Sequence, residues 1–155
     1  MAEPEPAADT DRRPWMPATA ETPPHVWVSF ELTGVPFDHD YVTAQLGIQP
    51  TAPDAPIEPD HSENGRHVGG TWGVAVGPLN ALEITAMLSE LIALIAPAQN
   101  ELRRVRDELH LDATITCVVE PTSTQTPEIR FPRDTIRWAA QNDVAIAVEL
   151  ALPRT

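Results

Sequence analysis

HVWVSFEL, residues 25–32, followed at once by TGVPFDHDYVTAQLGI, residues 33–48, decides the fold class. In the first piece Val26, Val28, Phe30 and Leu32 alternate with Trp27, Ser29 and Glu31. Period-two alternation of this kind predicts a strand in a sheet with one buried face. Gly34 and Pro36 are expected to end that strand. Asp38 then suits a helix N-cap, because its carboxylate can accept from the free amides of a first turn. The helix over 39–46 would turn Val42 and Leu46 inward. Gly47 suits the left-handed residue that closes it, and Ile48 can fold back over the last turn.

Upstream, residues 1–24 hold six prolines and seven charged side chains with no apolar periodicity. Such a segment cannot offset its ordering entropy with buried surface, so it reads as a disordered tail. Its sizeable apolar groups are Trp15 and Met16, which could dock on the domain or on a partner. Residues 25–155 read as one domain, long enough to bury a core. A polar, proline-bearing loop is expected over 49–70. A second strand follows over 71–76, with Trp72, Val74 and Val76 sharing a face. A helix is predicted from Asn80, with Glu83 completing a capping box. Its apolar stripe is Ile84, Met87, Leu88, Leu91, Leu94 and Ile95. Pro97 opens another helix to Leu109, with Arg103, Arg104 and Arg106 on its outside. A third strand covers 112–120, a short extended piece 128–131, a last helix 133–141 and a fourth strand 144–150. In the last helix Ile136, Ala139 and Ala140 are expected to pack, with Trp138 partly buried.

Half-buried strands between amphipathic helices predict an α+β two-layer sandwich. Its sheet is mainly antiparallel or mixed, with about four strands and the helices on one face. A ferredoxin-like arrangement is one way to connect them.

Composition limits the function. The apolar and charged fractions, 42% and 21%, are those of a soluble globule, whereas the net charge of −13 is far from balance. A field of that sign repels phosphate backbones, which argues against nucleic-acid binding, and it keeps the protein soluble. Every basic residue is arginine, and alanine and proline are abundant, a pattern associated with GC-rich bacterial genes. The single Cys117 has no internal disulfide partner and sits in an apolar strand pattern, as expected for a reducing cytoplasm. The start of the chain shows no signal-peptide pattern, and residues 84–96 are too short and too polar to span a bilayer. A soluble cytoplasmic protein without membrane contact is expected.

Three segments carry a family likeness: FELTGVPFDHDYVTAQLGIQPT (30–51), GGTWGVAV (69–76) and IRFPRDTIRWAAQNDVAIAVEL (129–150). They resemble the bacterial family called domain of unknown function 4279. In that family a strand ending near glycine leads to a short helix closing on Leu-Gly, and a Pro-Thr pair opens a variable loop. A tryptophan opens the next strand, and a final helix precedes a closing strand. The resemblance covers most of 26–150 and implies a small bacterial α+β domain. It transfers no catalytic residues. The long proline-rich tail departs from the family's short form.

No catalytic set emerges from the residues. His61 and His67 lie near Asp54, Glu58, Asp60 and Glu63, but without the spacing that a helix or knuckle imposes on zinc ligands. An acidic solvated loop explains them, and neither metal nor cofactor is expected. Asp38-His39-Asp40 resembles an acid–base cluster, yet helix capping accounts for it. Cys117 suits a buried inert thiol. The candidate binding residues are therefore Trp27, on the face opposite Val28 and Phe30, together with His61 and His67. The leading expectation is a non-catalytic acidic domain that binds a protein with a basic surface, as an immunity-type protein neutralising a basic toxin would. The alternatives are a small-molecule or metal-binding enzyme built on the 49–70 loop, and an accessory subunit of a larger assembly.

Overall fold

The structure, a computed structural model, describes residues 24–51, 61–63, 66–80, 83–121 and 127–151, without the side chains of 61–63, 66–68 and 78–80. The tail 1–23 and residues 52–60 and 64–65 of the expected 49–70 loop lie outside the described residues, while 61–63 and 66–70 of that loop are strand, paired as a hairpin. The chain runs β1 (His25–Asp38), α1 (His39–Leu46), β2 (His61–Glu63), β3 (Arg66–Asn80), α2 (Thr85–Ile95), a 3₁₀ turn (Ala96–Ala98), α3 (Gln99–Leu109), β4 (Asp112–Glu120), α4 (Arg133–Gln141) and β5 (Ala145–Leu150). The strands form one five-stranded sheet in the order β2-β3-β1-β4-β5. β1 is antiparallel to both neighbours, whereas β4 and β5 are parallel. The α+β class is as the sequence predicts, with the three-residue β2 added as a fifth strand. A ferredoxin-like topology does not describe the connections. Its split βαβ unit places a strand between the two parallel ones, but here α4 joins β4 and β5 as direct neighbours.

The apolar row of β1 decides which face is covered. Val26, Val28, Phe30 and Leu32 are fully buried, and α1, α2, α3 and α4 all add side chains to the same core. Phe30 meets Trp138 edge-on, with centroids 6.4 Å apart and planes at 70°. Such a pair adds about 1 kcal/mol beyond its burial. Among the described residues, the indole N–H of Trp138 has no hydrogen-bond partner. Trp72 is buried as predicted, and its indole donates to Thr43 Oγ1 at 3.1 Å, which ties β3 to α1.

Several boundaries differ from the sequence reading, each for a local reason. β1 does not stop at Gly34. Residues 34–36 bulge out between the pairs Thr33–Thr71 and Phe37–Gly69, and the strand resumes with Phe37 buried. A second bulge sets Gly77 and Pro78 against Trp27 alone, between the pairs Val26–Leu79 and Val28–Val76. Gly77 takes φ +98 there, and a Cβ would meet Met87 Cε and the Val26 carbonyl at 2.9 Å. This bulge carries β3 through to Asn80, so Asn80 and Glu83 cap no helix. The helix starts at Thr85 without a side-chain cap. In α4, Thr135, Trp138 and Ala139 pack inward, while Ile136 is 51% exposed and Ala140 lies outside.

Arg106 is not an outside residue. Its guanidinium donates to the carbonyls of Leu111 (3.3 Å), Asn142 and Asp143 (2.8 Å). The carbonyls belong to the two turns that hold His110 and Asp143, the non-glycine residues with positive φ. Arg103 adds bonds to the Gln141 carbonyl and to Asn142 Oδ1, both at 3.3 Å. Charged donors thus satisfy the carbonyls at the end of α4, where the helix dipole is negative.

Two predictions follow from this packing. Gly77→Ala should cost about 3 kcal/mol, because strain and overlap add. Gly47→Ala, at φ +67 with nothing near its Cβ, should cost only about 1 kcal/mol. Denaturant midpoints of the two variants check the order. Arg106→Ala should cost about 2–3 kcal/mol by the same measurement, with Arg106→Lys recovering little, since one ammonium cannot serve three spread carbonyls.

Candidate functional site

The sheet has a second face, opposite the helices, which carries Trp27. Register defines it row by row. His25 pairs with Glu120, Trp27 with Val118, Ser29 with Thr116, Glu31 with Thr114 and Thr33 with Asp112. On the outer side of β4, Glu149 lies beside Val118, Ala147 beside Thr116 and Ala145 beside Thr114. On the other side of β1, Ala75, Gly73 and Thr71 lie beside Ser29, Glu31 and Thr33. Paired residues share a face, so the surface has a floor of small and hydroxyl side chains. Its centre, Ser29 and Thr116, is 3% and 4% exposed.

Trp27 stands at one end of this floor, half-buried beside the buried Val118. Glu31 rises from the middle and accepts a hydrogen bond from Ser29 Oγ at 3.1 Å. Glu120 lies 3.8 Å from His25, with both side chains about half exposed. Glu31, Asp112, Glu120 and Glu149 therefore share one face. Among the described residues of β1, β4, β5 and β3 from Gly69 to Gly77, there is no arginine. The arginines of α3 and α4 belong to the helical layer, where Arg104 also bonds Gln45 of α1.

Of the candidate binding residues, Trp27 lies on this floor. His61 pairs with Val68 and His67 with Ser62, so the two histidines hold successive positions of the β2–β3 ladder. Successive positions belong to alternate faces. Their side chains, and Asp54, Glu58 and Asp60, lie outside the described residues, as does the side chain of Glu63. Among the described residues, no three His, Cys, Asp or Glu side chains are gathered to hold a metal.

The other chemistry-bearing groups have structural roles. Asp38 Oδ1 accepts from the amides of Asp40 (3.0 Å) and Tyr41 (3.2 Å), the capping role expected of it. His39 is buried against Phe37 and joins Gly69 O through Nε2 at 3.1 Å. The Tyr41 hydroxyl donates to Glu108 at 2.7 Å, and this bond raises its pKa, with desolvation and the Glu108 charge adding. Two shallow clefts open on the helical side. One, of about 640 Å³ beneath Leu46–Thr51, has Glu101 as its charged residue. The other, of about 670 Å³, is lined by Arg103 and Arg106, whose guanidinium groups already serve backbone carbonyls.

A family model, "Domain of unknown function (DUF4279)", matches residues 23–152. The chain belongs to this family. No curated protein and no solved structure matches it. The family match begins just before β1 and ends just after β5, so it spans the whole sheet and every helix.

Burial pushes the Cys117 thiol up from 9.0 to about 11. Between those values the folded chain keeps a proton that the unfolded chain releases, so stability should fall as pH rises through this window. At neutral pH an alkylating reagent should label Cys117 only at the rate of global unfolding. Fast labelling of the native protein would contradict this burial.

Proposed function

We propose that the domain is a non-catalytic binding protein whose acidic sheet face docks a protein with a basic surface, in the manner of an immunity-type protein. The supporting observation is the segregation of charge: Glu31, Asp112, Glu120 and Glu149 share the open face, and the described arginines of α3 and α4 lie in the helical layer. A single-sign field of this kind steers a basic partner and fixes its orientation. The floor of alanine, glycine, serine and threonine lets a partner approach the strands closely. Trp27 with Val118 supplies the apolar anchor that such an interface needs. The same field disfavours nucleic acid. No described helix is long and apolar enough to cross a membrane. The reading takes the bacterial cytoplasm as the compartment, with the lone buried thiol as its support.

Capture from a host lysate on the immobilised full chain, followed by titration of the captured protein, tests this reading. The partner should carry a basic surface and bind about 10–100-fold more weakly at high salt. Glu31→Arg combined with Glu149→Arg should abolish capture, and Trp27→Ala should weaken it about tenfold while the chain stays folded. Binding that ignores both salt and the charge reversals would overturn the proposal.

A further inference from the structure

The two edges of the sheet are finished differently. On the β3 side, β2 covers residues 66–68, and Thr51 covers the edge further along. The Thr51 amide donates to Gly73 O at 2.9 Å, and Thr51 Oγ1 accepts from the Ala75 amide at 3.2 Å. On the other side, β5 is the last strand, and no described residue pairs with its outer edge. Its sequence, AIAVEL, has no lysine, no proline and no bulge, and Glu149 is its one charge.

The apolar groups at this edge form one strip. Ile146, Val148 and Leu150 alternate on the helix side of β5, beside Ile115, Cys117 and Val119. Ile146 is covered, but Val148 is 44% and Leu150 61% exposed. Above them lies α4. Trp138 reaches from α4 inward to Phe30 on β1. Ile136, two residues earlier, is about 200° around the helix from Trp138 and is 51% exposed.

We propose that β5 pairs antiparallel with β5 of a second copy of this chain, making one continuous ten-stranded sheet with a two-fold axis at Val148. Residues that face each other across a ladder must share a sheet face, so only same-parity registers are allowed. Centring on Val148 places Val148 against its own copy and Leu150 against Ile146, which buries the exposed row. The same register sets Glu149 opposite Ala147, so the two like charges are not opposed.

In a chain of net −13, two copies can meet only where like charges do not face each other. On α4, which packs on β5, Arg133 and Arg137 stand with Asp134, and Glu149 is the single charge on β5. Local charge is near balance there, so the pairing brings no excess of like charge together. The pairing leaves the acidic sheet face of each copy open, and it is independent of the function proposed above.

Sedimentation equilibrium of the full chain, over a wide concentration range, tests the pairing. The wild type should sediment as a dimer, at twice 16.9 kDa. Val148→Arg opposes two charges on the axis and should raise the dissociation constant by about 100-fold or more. Circular dichroism of that variant should remain native. Val148→Cys should form an intermolecular disulfide under mild oxidation, while Glu149→Cys should not, which distinguishes the register from its neighbours. A folded wild type that stays monomeric throughout overturns the proposal. So does a dimer that survives Val148→Arg or crosslinks only through Glu149→Cys, since it would be built on another surface or register.

Discussion

Everything in this molecule is arranged around the central strand, His25–Asp38. It is hydrogen-bonded on both sides, and its row Val26, Val28, Phe30 and Leu32 is removed entirely from water. Each such side chain contributes about 2 kcal/mol when buried, but only if a helical layer covers it. That requirement brings α1, α2, α3 and α4 to the same face. It also dictates the character of the other face, whose residues on the same strand must tolerate solvent or be small. The serine, threonine, alanine and glutamate floor is the consequence of one-sided burial.

Charge follows the same division. In the helical layer, arginine works locally: Arg103 and Arg106 hold the α4–β5 turn, and Arg104 holds α1. These contacts take up positive charge on one side of the protein. Along β1, β4, β5 and the stretch of β3 from Gly69 to Gly77 the acids remain, and His25, half-exposed, is the one basic residue there. A chain with this net charge could have spread it evenly. Instead the fold turns it into a polarised molecule, with an acidic sheet and a mixed helical side.

The sheet edges show a comparable asymmetry. Thr51 uses its amide and its hydroxyl to stand in for a strand along β3. Among the described residues nothing covers β5 in this way, and Val148 and Leu150 are exposed. An unprotected edge invites pairing, and here the alternation, the parity of the register and the local charge balance agree on how that pairing would run.

The strands and helices with clean periodicity were legible from the sequence. The spans of β4 and α4, the burial of Trp72 and the Asp38 cap appear where the alternation, the stripe and the capping chemistry put them. These features are local, and their physics is complete within a few residues. The sequence could not show that β1 survives Gly34 and Pro36, or that β3 continues past Gly77, because both bulges depend on the register of a neighbouring strand. Nor could it show that Arg106 faces inward. Its three carbonyl partners include two that lie 36 and 37 residues further along the chain. The acidic face is the clearest case. Glu31, Asp112, Glu120 and Glu149 are scattered through the chain, and only strand order brings them onto one surface. Periodicity assigns a side chain to a face of its own strand; long-range pairing alone decides which strands share that face.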